Sequence, residues 1–151
     1  MRIRRSPIIF HNVISTKATC SNQEWPQVAR DLRNVVLKNG LYGTGPVMYE
    51  VELAEDQENL DYTFYIPINE KIELNTNDKY YFTEKLEFED GLVVRHADME
   101  EPLESSYDII KMTAEAMKLK LRDNFLNIHL DVYGGSIIDI YAPIIGDETD
   151  D

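Results

Sequence analysis

The sequence predicts an α+β fold made of two β-α-β-β units, with antiparallel sheets and two long helices on one side. Strand and helix patterns follow one another in the same order in each half of the 151 residues. The segment FYIPI, residues 64–68, is echoed by IYAPI, residues 140–144. Proline is unusual inside a strand because it lacks the N–H that a ladder needs. We therefore expect a duplication within one domain, residues 1–151, with a first repeat at about 7–70, a second at about 78–145 and an acidic tail at 146–151.

The first repeat opens with a strand over residues 7–20, which are rich in β-branched side chains. Ser21 and Glu24 have the spacing of a capping box and predict a helix start. Asn39-Gly40 predicts its left-handed end. Two further strands are predicted over residues 46–53 and 60–68.

The second repeat begins with extended chain over residues 80–97 and a turn at Asp90-Gly91. Ser105 and Asp108 predict the start of a helix that continues through residues 106–124. Its methionines fall at helical spacing with apolar neighbours, which predicts that they fill the core. Strands are predicted over residues 127–133 and 136–144.

Side chains alternate along strands, so parity assigns them to faces. A three-residue loop at 134–136 would pair Tyr133 with Ile137 and place the apolar residues of both strands against the helix. The opposite face of the two hairpins would then collect carboxylates, tyrosines and one histidine: Glu50, Glu52, Asp131, Asp139, Tyr65, Tyr133, Tyr141 and His129. Carboxylates among tyrosine rings suit a cation. The alternative is the ordinary polar side of a half-exposed sheet.

Composition excludes several classes of function. The net charge of −13 opposes nucleic-acid binding. We find no membrane-spanning run and no signal peptide, and the single Cys20 suits a reducing compartment, so the expected location is cytoplasmic. The basic start, residues 1–5, is expected to be a solvated end. His11, His96 and His129 lack metal-ligand spacing, and no phosphate loop or nucleophile motif occurs, so neither metal nor cofactor is expected.

The chain resembles the GyrI-like, or SOUL-type effector-binding, superfamily, because each half closes on an apolar-x-Pro-apolar strand. The resemblance implies paired β-α-β-β units and a groove between them for bulky cationic or aromatic small molecules. Asp139 stands where that family often has a glutamate, four residues before the second proline. The chain lacks the helix-turn-helix of regulators built on this domain and is similar to single-domain proteins of Gram-positive bacteria. The matching segments are GPVMYEVEL (45–53), TFYIPI (63–68), VVRHADMEEPLESSYDII (93–110), HLDVYGG (129–135) and DIYAPI (139–144).

Three functions follow from these observations. The first is a stand-alone small-molecule binding protein that does not itself bind DNA, with Asp139 as counter-charge and Tyr65, Tyr141 and Tyr133 against the ligand. The second is an acidic protein-interaction module, such as an inhibitor, antitoxin or docking protein, with a basic partner. The third, ranked last, is a ligand hydrolase in which Asp131 and Asp139 face each other near His129. The sequence leaves the oligomeric state open.

Overall fold

Two helices and a mostly antiparallel sheet make up the part of the chain that a computed structural model describes, residues 3–21, 23–51, 58–75, 79–97, 101–132 and 135–147. The predicted α+β class is confirmed. The chain divides into two compact units, residues 9–86 and residues 1–8 with 87–151. The elements are β1 (Ile3–Arg5), β2 (Ile8–Ser21), α1 (Trp25–Lys38), β3 (Met48–Val51), β4 (Asn59–Pro67), β5 (Tyr80–Phe88), β6 (Gly91–His96), α2 (Leu103–Ala116), β7 (Leu119–Leu121), β8 (Leu126–Val132) and β9 (Gly135–Asp147).

In the unit of residues 9–86, β4 lies between β2 and β3 and is antiparallel to both, and β5 flanks β2. Helix α1 buries Leu32 and Val36 in a core that includes Phe64 and the rings of Tyr49 and Tyr62. This core covers one face of the unit's sheet. The other face carries the polar residues that alternate with the core residues, together with the buried apolar residues Val13, Met48 and Pro67.

Local sequence determines both ends of α1. The hydroxyl of Ser21 accepts from the Glu24 N–H at 3.2 Å, and the Glu24 carboxylate accepts from the Ser21 N–H at 3.1 Å. The reciprocal bonds of the predicted capping box therefore form, but in the turn that precedes α1, which begins at Trp25 with Glu24 as its N-cap. Gly40 has a φ of +77°, and the Leu41 N–H reaches back to the Val36 carbonyl at 3.1 Å. This is the predicted left-handed end, and it turns Leu41 into the core.

In the other unit, β9 lies between β6 and β8, β1 flanks β6, and β7 pairs with the end of β9. Residues 3–5 are therefore a paired strand rather than the solvated end that was predicted. Arg5 donates to the carboxylate of Asp90 through two nitrogens, with a shortest distance of 2.6 Å. The unit thus includes residues from both ends of the chain.

The two strand prolines sit in matching surroundings within their own units. Pro67 pairs with Val13, and Pro143 pairs with Gly91. Each proline carbonyl accepts an N–H from the segment that follows the unit's helix, Thr44 in one case and Arg122 in the other, both at 2.9 Å. Because proline has no N–H, it can take part in backbone hydrogen bonds only through its carbonyl, as both prolines do here. The 9–86 unit has the order β-α-β-β over β2, α1, β3 and β4, whereas in the other unit the additional strand β7 lies between α2 and β8, and a duplication remains a prediction.

The second helix is shorter than predicted. Helix α2 begins at Leu103, with Pro102 before it, and ends at Ala116. Lys118 has a φ of +57°, which a helix cannot contain, and the next three residues form β7. Met112 and Met117 are exposed, so the prediction that the methionines fill the core is wrong.

Candidate functional site

A buried carboxylate lies on the face of the 9–86 unit that is opposite α1. Glu50 pairs with Thr63, and Met48 pairs with Tyr65, so the predicted grouping of Glu50 with Thr63 and Tyr65 on one face is confirmed. Glu50 is only 6% exposed. The Tyr65 hydroxyl donates to Glu50 Oε1 at 2.9 Å, a diagonal contact across the two strands. A carboxylate withdrawn from water needs hydrogen bonds or a counter-charge, and Tyr65 supplies one of those bonds.

The opposite face of the same strands holds the core and carries no reactive group. Burial raises the pKa of Tyr62 to about 12, with a smaller contribution from Cys20, and it raises the pKa of Tyr49 further still. Burial, followed by the charge of Glu24, also raises the pKa of the Cys20 thiol. These phenols and this thiol remain protonated at neutral pH, so they act as packing groups.

The carboxylate of Asp139 on β9 forms an ion pair with Arg95, a residue that was not predicted as part of the site. Asp139 and Arg95 stand directly opposite each other on β9 and β6. Arg95 Nε donates to Asp139 Oδ1 at 2.8 Å, and Arg95 Nη2 donates to Asp139 Oδ2 at 3.1 Å. The Asp139 side chain is 13% exposed and that of Arg95 is 55% exposed, so water reaches the pair mainly from the arginine side. The carboxylate and its hydrogen bond also raise the pKa of Arg95.

Tyr141 has a packing role in this structure, in contrast to the predicted ligand contact. It is fully buried, and its hydroxyl donates to the Ser6 carbonyl at 2.7 Å. Its ring lies 5.9 Å from that of Phe88 and covers Gly91 so closely that a Cβ there would overlap it. Burial, more than the nearby Asp90, raises the pKa of Tyr141 to about 12.

The β8–β9 register differs from the prediction. Val132 pairs with Gly135, so the predicted pairing of Tyr133 with Ile137 is wrong. His129 stands opposite Ile138, whereas Ile128 stands opposite Asp139, so His129 and Asp139 lie on different faces. Asp131 pairs with Ser136 and does not face Asp139, which removes the geometry of the hydrolase hypothesis.

The register is explained by a polar pair beneath α2. Asn127 is fully buried, and the Tyr107 hydroxyl donates to Asn127 Oδ1 at 2.6 Å. With that bond made, the helix-facing side of β8 can carry polar side chains. Leu126 and Ile128 consequently occupy the other face, where Leu126 pairs with Tyr141.

The other predicted site residues and the other two histidines, where the structure describes them, add no group to either carboxylate. Glu52, Tyr133 and the side chain of Asp131 lie outside the described residues. His11 is exposed. His96 is buried, where its Nε2 donates to the Glu101 carbonyl at 3.1 Å and its Nδ1 accepts from the Ser106 hydroxyl at 2.8 Å. It therefore joins β6 to α2 and is a structural histidine.

The described part of the chain contains neither a candidate metal site nor a candidate membrane-spanning helix. Its histidine, cysteine, aspartate and glutamate side chains nowhere form a group of three that could hold a metal ion. No helix there has the length and apolar character needed to cross a membrane.

The fold is shared with the C-terminal domain of EcmrR and with SAV2435. The chain superposes on the C-terminal domain of EcmrR with a TM-score of 0.71 and 14% identity, covering 97% of this chain and 99% of that one. On EcmrR in its DNA complex, the TM-score is 0.73 with 15% identity, covering 94% of this chain and 57% of EcmrR, so this chain spans little more than half of that protein. The structure of SAV2435 bound to tetraphenylphosphonium matches with a TM-score of 0.54 and 12% identity, covering 97% and 95%.

The sequence itself matches the family described as Domain of unknown function (DUF5085) over residues 9–148. The chain belongs to that family. Among curated proteins, no sequence matches it.

Proposed function

We propose that this protein is a member of the GyrI-like superfamily that binds bulky organic cations. The observation that carries the proposal is the buried carboxylate of Glu50, which lies beneath Tyr65 on the sheet face that α1 leaves uncovered. SAV2435, which shares the fold, has been solved with tetraphenylphosphonium, a bulky aromatic cation. A cation of this kind needs a desolvated negative charge and an apolar or aromatic surround.

Glu50 supplies the first candidate counter-charge. The neighbours of Glu50 on this face are Met48, Thr63 and the half-buried Tyr65, so a cation there would meet one carboxylate among apolar and aromatic surfaces. A desolvated carboxylate interacts more strongly with a cation than an exposed one does, because water screens it less.

Asp139 supplies the second candidate, in the other unit. A cation that binds Asp139 has to displace the guanidinium of Arg95, which already occupies both carboxylate oxygens. Arg95 would therefore weaken binding and select for ligands that compete with it. Glu50 and Asp139 make separate contributions to the proposal and are tested separately.

Isothermal titration calorimetry with tetraphenylphosphonium tests the proposal. Glu50→Gln keeps the shape and a hydrogen-bond acceptor but removes the charge, so we expect at least about tenfold weaker binding, on the order of a hydrogen bond to a charged group. Asp31→Asn is the matched control, since Asp31 is an exposed carboxylate of the same unit that lies on α1, on the other side of the sheet from Glu50, and the loss of its charge should change the affinity by less than about twofold.

Asp139→Asn decides the role of the second carboxylate. A loss comparable to that of Glu50→Gln would place Asp139 in the site, and an unchanged affinity would remove it. If wild-type protein takes up no tetraphenylphosphonium, or if Glu50→Gln and Asp31→Asn behave alike, the proposed function is wrong.

A further inference from the structure

A groove of about 380 Å³ lies in the 9–86 unit beside the C-terminal end of α1. Its floor is apolar and buried, formed by Ile14, Val36 and Leu41. Its sides are formed by α1 and by the segment after β4, from which Ile72 and Leu74 project. Grooves of this size and composition are typical of binding sites.

The groove is distinct from the candidate cation site. Ile14 pairs with Ile66 and belongs to the core beneath α1, so the groove opens on the helix side of the sheet. Glu50 and Tyr65 point to the opposite side. An occupant of the groove would leave both of those residues untouched.

Apolar side chains stay exposed around the groove. Leu74, in its wall, is 39% exposed. Leu37 and Tyr42, which directly follow the floor residues Val36 and Leu41, are 56% and 58% exposed. Exposed apolar side chains that line a groove are characteristic of protein-binding sites. A small ligand enclosed in the groove would leave Leu74 partly in water, whereas a protein segment lying across the groove could cover this side chain.

The charge of the rim selects the partner. Glu70 and Glu73 line the groove, and both are exposed. Two lysines lie nearby and both are engaged: the ammonium of Lys71 is 3.6 Å from Glu84, and that of Lys79 lies 5.4 Å from the centre of the Tyr80 ring. The whole chain carries a net charge of −13. An acidic rim around an apolar floor attracts a basic segment and disfavours an acidic peptide or an anionic membrane surface.

We propose that this groove docks a segment of a partner protein that inserts an apolar side chain between α1 and the 70–74 segment, with lysine or arginine on either side. The apolar anchor fills the floor over Val36 and Leu41. The flanking cations lie against Glu70 and Glu73. The proposal is independent of cation binding at Glu50.

The test is titration of isotope-labelled protein with the acetylated, amidated peptide Lys-Leu-Lys-Lys-Leu-Lys, followed by backbone amide NMR. We expect shifts concentrated at residues 35–42 and 70–74. The counterpart with glutamate in place of each lysine should give none. Glu70→Gln combined with Glu73→Gln should weaken binding at least about fivefold, because both variants remove a rim charge without touching the core.

Two controls keep the result interpretable. Glu104→Gln combined with Glu115→Gln removes the same charge from the exposed surface of α2 and should change the affinity by less than about twofold. Leu74→Asn keeps the charge and should weaken binding, since it takes an apolar wall from the groove. Equal losses in the two double variants, shifts spread over the whole surface, or no binding at all would each overturn the proposal.

Discussion

Adding one methyl group at Gly91 should destabilise the protein sharply, because the Tyr141 ring occupies the space. A Cβ on Gly91 would overlap the ring at its Cζ and hydroxyl end. The ring has little freedom to move, since it is fully buried and its hydroxyl is bonded to the Ser6 carbonyl. Gly91→Ala therefore forces either the ring or β6 to shift.

The size of the effect follows from three contributions. Overpacking a buried site costs about 1–3 kcal/mol. Losing the bond from Tyr141 to Ser6 costs about 1 kcal/mol more. Replacing glycine by alanine restricts the unfolded chain, which raises the free energy of unfolding by about 0.4–1 kcal/mol. The net loss in the free energy of unfolding lies between about 1 and 3.6 kcal/mol.

Denaturant unfolding followed by circular dichroism measures this loss. Gly146→Ala is the matched control, because Gly146 is also a strand glycine, in β9, a Cβ on it would meet nothing within 4 Å, and its φ is not in the left-handed range. We expect that variant to be as stable as wild type or slightly more stable.

A double-mutant comparison identifies the cause. Leucine at position 141 has no ring to overlap, so Gly91→Ala should cost less than about 1 kcal/mol in a Tyr141→Leu background. If Gly91→Ala costs the same in both backgrounds, or if it is no worse than Gly146→Ala, the packing role of Tyr141 is refuted.

Three further results are expected. Arg95→Gln should raise the affinity for tetraphenylphosphonium about fivefold if Asp139 takes part, since the cation no longer competes with a guanidinium bond worth on the order of 1 kcal/mol; calorimetry showing equal affinity would contradict this. The hydrogen bond from Arg5 lowers the pKa of Asp90 below its ordinary value of 3.8. The ion pair therefore stabilises the fold at pH values above 3.8, and this stabilisation is lost as the pH falls and Asp90 is protonated. Arg5→Gln should therefore lower the unfolding midpoint at neutral pH and match wild type in strong acid, and a deficit that persists in acid would exclude the ion pair as its cause. Cys20 is buried and its thiol pKa is raised, so it should react with Ellman's reagent only as fast as the protein unfolds; rapid labelling of native protein would show that the thiol is accessible.

The sequence predicted best where alternation was unambiguous. In β4, and in β3 after Met48, polar residues alternate with core residues, so the placement of Glu50 and Tyr65 on one face could be derived from the sequence. The two ends of α1 could also be derived, because capping residues act through neighbours in sequence.

Long-range contacts account for what was not predicted. In β9 the adjacent residues Ile137 and Ile138 put apolar side chains on both faces, so alternation did not fix its register against β8. The Tyr107–Asn127 bond, which favours the observed register, joins residues of different elements. The strand β1 is only three residues long and forms against β6. Arg95 lies in the segment that carried the family resemblance, yet its pairing with Asp139 depends on the β6–β9 register. Helix α2 was extended too far because LKL at 119–121 suits both helical and strand patterns.

A comparison of two ligands of opposite charge tests most directly whether a buried carboxylate governs ligand binding. Tetraphenylphosphonium and tetraphenylborate have nearly the same size and shape and opposite charges. If a carboxylate withdrawn from water governs recognition, calorimetry on the wild-type protein will detect saturable uptake of the phosphonium and none of the borate. Equal uptake of both ions would mean that apolar surface alone binds them, and would contradict a role for the Glu50 carboxylate in recognition.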